Sequence, residues 1–170
     1  MRVLVLSDTH LRRGGRRRLP DQVYTELDRS DAVLHAGDVM VSDLLHELAG
    51  FAPTYAVLGN NDHGDLTGML PETRVEVLGG VRIGMIHDSG PSKGRPGRMR
   101  RRFPDCPLVV YGHSHIPFDG EGVEGQRLFN PGSPTERRAQ PHPTYGLLDL
   151  GGGEVVAHEI RILDGATTGS

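Results

Sequence analysis

Residues 3–10 read Val3-Leu4-Val5-Leu6-Ser7-Asp8-Thr9-His10: four apolar residues that break off into a carboxylate and an imidazole flanked by hydroxyls. A short apolar run with no polar face is the pattern of a strand buried on both sides. Its polar carboxyl end is where an open α/β sheet gathers a ligand site. The pattern recurs. Ala32-Val33-Leu34 leads into His35-Ala36-Gly37-Asp38, and Tyr55-Ala56-Val57-Leu58 ends in Gly59-Asn60-Asn61-Asp62. Val81–Ile86 runs into His87-Asp88, and Leu108–Tyr111 ends in Gly112-His113-Ser114-His115.

Between the early runs lie helical patterns. Pro20–Ser30 spaces Val23 and Leu27 for one helix face, with Pro20 suited to the first turn. Val41–Ala49 offers Leu44, Leu45 and Leu48, with Ser42 or Asp43 as the expected N-cap. Strands alternating with helices predict right-handed β-α-β units and a parallel sheet. From Thr73 onward the chain turns antiparallel in character. Thr73–Leu78 and Val81–Ile86 are joined by Gly79-Gly80, a two-residue hairpin signal, and Thr144–Leu150 and Glu154–Leu163 are joined by Gly151-Gly152-Gly153. The residues therefore predict an α/β domain of mixed sheets packed with helices, occupying 1–163, with residues 164–170 as a disordered tail.

The chain has 170 residues, 36% hydrophobic and 24% charged, which suits one soluble domain with a real core. No apolar run approaches the roughly 20 residues of a membrane span, and the polar turn after Leu6 comes too early for a signal peptide. One cysteine, Cys106, excludes an internal disulfide, so a cytoplasmic location is expected. A net charge of -3 disfavours general nucleic-acid binding without forbidding it.

Chemistry concentrates at the five strand ends. Asp8 and His10 are two apart, as are His113 and His115, so extended backbone would turn each pair to one side. Gly37 and Gly59 precede Asp38 and Asn60 and permit close backbone approach. With His87, the candidate ligands are Asp8, His10, Asp38, Asn60, His87, His113 and His115. Seven exceed the roughly four of one zinc site and suit two ions about 3.5–4 Å apart, sharing a carboxylate. Imidazole and oxygen donors without thiolate favour Mn, Fe, Co, Ni or Zn over Mg or Ca. Two divalent ions against two carboxylates leave a positive centre that draws and polarises an anionic ester.

Asp8-x-His10, Gly37-Asp38, Gly59-Asn60-x-Asp62, His87 and Gly112-His113-x-His115 together resemble the calcineurin-like metallophosphoesterase superfamily. Asn130-Pro131-Gly132-Ser133 and the short chain look like its small prokaryotic phosphodiesterase branch. The resemblance implies a four-layer αββα sandwich and two divalent transition-metal ions, manganese foremost. Asp8, His10, Asp38 and His115 would hold one ion, and Asp38, Asn60, His87 and His113 the other, with Asp38 bridging. It implies hydrolysis of a small phosphate diester by a hydroxide held at the two ions, with Asp38, Asn60, Asn61 and His113 as catalytic candidates. Many relatives carry His after the ligand Asn as an acid toward the leaving group; this chain has Asn61. The alternatives are a non-catalytic protein-interaction module of the same fold, a phosphomonoesterase or a nuclease. A homo-oligomer is compatible with any of them.

Other residues carry less. His35 is expected to support a ligand or fill the core, and Asp62 either to hold Asn61 or a nearby histidine or to serve as a turn carboxylate. His63 is a loop residue that could donate a proton; His46, His142 and His158 are read as surface, and Cys106 as inert. Two basic clusters, Arg12–Arg18 and Lys93–Arg102, either line the approach to the metals or form solvated loop faces.

Overall fold

The computed structural model describes residues 1–163; the tail expected at 164–170 lies outside the described residues. Ten strands form two five-stranded sheets. The first contains β1 (Arg2–Leu6), β2 (Ala32–His35) and β3 (Thr54–Ala56), parallel to one another, and an antiparallel hairpin of β9 (Thr144–Gly151) and β10 (Glu154–Ile162). Its order is β10-β9-β1-β2-β3. The second contains β4 (Thr73–Leu78), β5 (Val81–Ile86), β6 (Leu108–Val110), β7 (Phe118–Glu121) and β8 (Arg127–Asn130), in the order β4-β5-β6-β8-β7. There β5, β6 and β8 run parallel, while β4 and β7 close the edges antiparallel.

Alternation along the central strands explains the layers. Val3 and Val5 of β1 and Ala32 and Leu34 of β2 face Ile83, Met85, Val110 and Phe129 of the other sheet. Leu4, Leu6 and Val33 point the opposite way, onto Val23 and Leu27 of α1 (Asp21–Leu27) and Leu44 and Leu48 of α2 (Ser42–Phe51). A strand covered on both faces has no reason to carry polar residues, hence its unbroken apolar sequence. After the short α3 (Leu66–Met69), the far side of the second sheet is covered by α4 (Arg95–Arg102). Its Met99 meets Val109, Tyr111 and Leu128. The result is the four-layer αββα sandwich.

Local expectations fare unevenly. The Gly79-Gly80 hairpin has the strand bounds read from the sequence, and both glycines take positive φ (56° and 84°), as a type I′ turn requires. The first turn of α2 differs: Val41 is its N-cap, with no side-chain cap. Ser42 already lies inside the helix, and its hydroxyl is drawn to the Asp65 carboxylate at 2.5 Å instead. Lys93–Arg102 is not a loop face, because its last eight residues form α4, nucleated by Pro96 in the first turn.

Candidate metal centre

The carboxyl ends of β1, β2, β3, β5 and β6 meet at one edge of the sandwich, and every candidate ligand arrives there. Asp38 Oδ2 lies 3.4 Å from His10 Nε2 and 3.4 Å from His87 Nε2, so it stands between the two halves of the cluster. His115 Nε2 is 3.2 Å from His10 Nε2 and 3.3 Å from Asp8 Oδ1. On the other side, Asn60 Oδ1 is 3.0 Å from His87 Nε2 and 2.9 Å from His113 Nδ1. Two groups of carboxylate and imidazole atoms are close enough to share an ion: Asp8, His10 and His115, and Asp8, Asp38 and His87. Asp8 belongs to both, beyond the role expected for it; His113 and Asn60 join from the rim.

The donors fit a cation on an observation independent of sequence. Asp8 Oδ2 accepts hydrogen bonds from Ser7 Oγ at 2.6 Å and from the His113 amide at 2.9 Å. Asp8 Oδ1, equally buried, has no hydrogen-bond partner among the described residues. A buried carboxylate oxygen left unpaired is costly, and a divalent ion shared with His10 and His115 removes that cost. The imidazoles are set for ligation too. His87 Nδ1 lies 2.6 Å from the Ala36 carbonyl, and His115 Nδ1 lies 2.5 Å from the Glu136 carbonyl. Each Nδ1–H therefore donates to backbone, which turns the Nε2 lone pair into the cluster.

Electrostatics keep the carboxylates ionised. Burial works to raise the Asp8 pKa, but the imidazoles of His10 and His115 and the Ser7 hydroxyl outweigh it and hold the group well below the usual range. For Asp38 burial again opposes, while His87 and Asn61 bring the pKa down to about 2. His87 is raised: burial disfavours its charge, but Asp38 and Asp8 prevail.

Extended backbone is not what aims these side chains. Asp8 (φ 54°), His10 (46°), Asp38 (58°), His113 (69°) and His115 (60°) are all left-handed. That conformation costs an ordinary residue about 1–2 kcal/mol. Two-residue spacing thus brings Asp8 with His10, and His113 with His115, to the centre through tight turns. Sequence periodicity does not register such turns. Strain gathered at one cluster marks a functional site. The glycines allow the turns to touch. A Cβ on Gly59 would lie 2.1 Å from the Asp38 amide nitrogen, and one on Gly112 would lie 1.9 Å from Ser7 Oγ.

Supporting residues were only partly anticipated. His35 is fully buried, with Nε2 3.1 Å from Thr9 Oγ1, so it backs the Asp8–His10 turn as expected. Asp62 serves as the turn carboxylate, with backbone amides rather than Asn61 or a histidine as its partners among the described residues. Its Oδ2 accepts from the amides of Asp38 (3.0 Å) and Gly59 (2.7 Å), and its Oδ1 from Met40 (2.7 Å). Asp62 closes the 59–62 turn, its own amide bonded to the Gly59 carbonyl at 3.2 Å, and a carboxylate there finds backbone N–H groups nearer than side chains. Asp62→Ala would orphan three amides of the loops that carry Asp38 and Asn60. We expect a loss of about 3 kcal/mol, read from the urea midpoint at constant m. Sequence reasoning did not foresee that Ser133 Oγ donates to the Asp8 carbonyl (2.8 Å) and Thr135 Oγ1 to the Thr9 carbonyl (2.6 Å). Asn130 Nδ2 donates to the Gly112 carbonyl at 3.2 Å. The only signal for this stitching is the polar Asn130 closing an apolar strand before Pro131-Gly132.

The remaining side chains separate clearly. His46, His63 and His142 are exposed. His158 is half-buried, with Nδ1 2.5 Å from Asp119 Oδ2 on β7, rather than a free surface residue. Burial pushes the Cys106 thiol pKa up, which keeps it unreactive. In the second basic cluster, Arg98 caps the carbonyls of Ser89, Pro91 and Lys93, Arg95 reaches Tyr111, and Arg100 pairs with Glu124. These three are spent on structure. The first cluster faces a cleft of about 540 Å³ that opens beside His10 and Asn61.

His35 also gives a pH signature. Burial lowers its pKa to about 4, from an ordinary value of 6.5. Between those values the unfolded chain binds a proton that the folded chain refuses, so stability falls as pH drops from 6.5 towards 4. The change is up to about 3 kcal/mol. His35→Leu should flatten that part of the profile, whatever it does to stability at pH 8; urea midpoints measured against pH for both proteins test this.

Residues 1–153 match the family model of the calcineurin-like phosphoesterase superfamily domain. A probable metallophosphoesterase of Methanothermobacter thermautotrophicus is 33% identical over 165 residues, covering 95% of this chain and 92% of that protein. The solution structure of a Thermotoga maritima protein is 33% identical, with a TM-score of 0.73 over 95% of this chain and 99% of that one. The crystal structure of a zinc-complexed vacuolar protein sorting 29 protein from Entamoeba histolytica shares the fold. It has a TM-score of 0.75, at 24% identity over 96% of this chain and 99% of that one. With carboxylate, imidazole and amide side chains from all five strand ends converging on a cluster suited to divalent cations, this chain belongs to the calcineurin-like phosphoesterase superfamily.

Proposed function

We propose that residues 1–163 form one catalytic domain, a two-metal phosphodiesterase acting on a small ester in the cytoplasm. The observation that carries this reading is Asp38 Oδ2, equidistant at 3.4 Å from an imidazole of each half of the cluster. Asp8, His10, Asp38 and His115 would hold one ion, and Asp38, Asn60, His87 and His113 the other. Imidazole and oxygen donors suit manganese first, then iron, nickel, cobalt or zinc. When bound, the ions supply Lewis acidity toward the phosphoryl oxygens and lower the pKa of a water for attack on phosphorus.

The chain's own residues orient the ester. Asn60 and His113 stand on the rim and can donate to phosphoryl oxygens. Asn61 Nδ2 donates one hydrogen to Asp38 Oδ2 at 2.8 Å, which leaves its second for an ester oxygen. A side chain with no transferable proton there favours diesters with good leaving groups. A non-catalytic interaction module is the rival reading; the full set of seven ligand-type side chains favours the enzyme. A panel of aryl and alkyl mono- and diesters assayed with Mn, Ni, Zn and Mg tests the proposal. Turnover of diesters above monoesters is expected. If metal-loaded protein hydrolyses no ester, the enzyme reading is lost.

A further inference from the structure

The cleft beside the metal cluster is unusually basic. Its wall runs from His10 and Asn61 to Arg12, Arg16, Arg17 and Arg138, with Glu136 the single carboxylate among them. The arginines of the 12–18 loop are not equivalent. Arg13 pairs with Asp43 at 3.5 Å and Arg18 with Asp21 at 3.1 Å, both outside the cleft. Arg17 pairs with Glu136 at 2.7 Å, and Arg138 reaches the same carboxylate at 3.9 Å. Arg12 and Arg16 line the cleft with no carboxylate partner among the described residues.

The loop is also built into the centre. The Gly15 amide donates to the Arg12 carbonyl at 2.9 Å, closing a turn that sets Arg12 and Arg16 on the same cleft wall. Arg17 Nη1 donates to Glu136 and reaches the His10 carbonyl at 3.4 Å, while the Glu136 carbonyl receives His115 Nδ1. The loop that carries these two unpaired arginines is thus tied to the edge of the site through Arg17, the His10 carbonyl and Glu136, whose own carbonyl orients His115. A charge run that served only solubility would have no need of that tether. Guanidinium forks match phosphate oxygens in pairs, whereas a single diester charge would already be met by the ions that the cluster would hold.

We infer that the substrate is a diester bearing a second phosphate group on one of its organic arms, and that Arg12 and Arg16 bind this second phosphate. The inference rests on the phosphodiesterase reading for its reaction, although the anion site itself does not. The second phosphate adds charge-assisted contacts, for which about a 10-fold gain in affinity is expected at a solvent-facing cleft. The gain should shrink with ionic strength.

Binding of thymidine 3′,5′-bisphosphate and thymidine 5′-phosphate to the metal-loaded protein, measured by calorimetry, tests the site without turnover. Wild type should prefer the bisphosphate about 10-fold. R12A/R16A should reduce that preference to within about 2-fold. R13A/R18A, which removes the same charge from the same loop outside the cleft, should keep it. Equal affinities in wild type, or an equal loss in both double variants, would overturn the site. A parallel assay compares the 5′-(p-nitrophenyl) phosphodiester of thymidine with and without a 3′-phosphate. Higher kcat/KM for the phosphorylated ester, lost in R12A/R16A, is expected. Preferential binding of the bisphosphate with neither ester hydrolysed would leave the anion site standing and remove the diesterase reading instead.

Discussion

Asp38→Ala should abolish turnover and empty both metal positions together. Asp38 Oδ2 is the carboxylate oxygen placed between His10 and His87, so on the proposed two-ion reading its removal would take a shared ligand from both ions and leave two close cations unscreened. Loss of an outer hydrogen-bonding partner of a metal ligand typically costs 10–100-fold. Loss of the shared ligand itself should exceed that, about 10³-fold or more in kcat. His115→Ala is the contrast. His115 Nε2 lies by Asp8 Oδ1 and His10 Nε2, on one side of the cluster, whereas Asp38 Oδ2 reaches an imidazole on each side, so on the two-ion reading one ion should be lost and the other kept. Elemental analysis of purified proteins, with circular dichroism to show that the fold persists, distinguishes the two. A full complement of two ions in Asp38→Ala would refute the bridging role.

The fold and the site differ in how far sequence alone reaches into them. The buried strands are legible because period and composition are local. Val3–Leu6 can satisfy its backbone only in a ladder, and its side chains only between two apolar layers. The candidate ligands are legible because each follows such a run directly, and the run fixes which edge of the sandwich the next residues reach. What sequence does not carry is how the turn after each run is shaped. The left-handed φ of Asp8 and His10 follows from contacts made across the site, with the Asp8 amide bonded to the Gly37 carbonyl and the His10 amide to the Asp38 carbonyl. Which of its two readings Asp62 takes is hidden for the same reason, since the amide partners at 38 and 40 that make it a turn carboxylate are distant in sequence. The arginines show a third limit. Arg12 and Arg13 are neighbours with identical side chains, and only the position of Asp43 sends one to a partner while the other lines the cleft.

Asn61→His should raise kcat on alkyl diesters by about 10²-fold or more and on aryl diesters far less. General acid catalysis is typically worth about 10²–10⁴-fold, most when the leaving alkoxide is strongly basic. The native amide can only donate a hydrogen bond. Its Nδ2 is already committed to Asp38 Oδ2 at 2.8 Å, and its backbone amide to Asp38 Oδ1 at 2.8 Å. That pair of contacts fixes position 61 over the cluster, facing the cleft, so an imidazole placed there inherits the backbone anchor and can present a transferable proton. Part of the gain is offset by the lost side-chain bond to Asp38, which helps keep that carboxylate ionised. The metal content should remain that of wild type, because position 61 is adjacent to a ligand and is not one itself. The test is the slope of log kcat against leaving-group pKa for both proteins, under conditions where chemistry limits turnover. A shallower slope in Asn61→His is the expected result. Parallel slopes would mean that protonation of the leaving group is supplied elsewhere, with His63, two residues along the same loop, as the next position to replace.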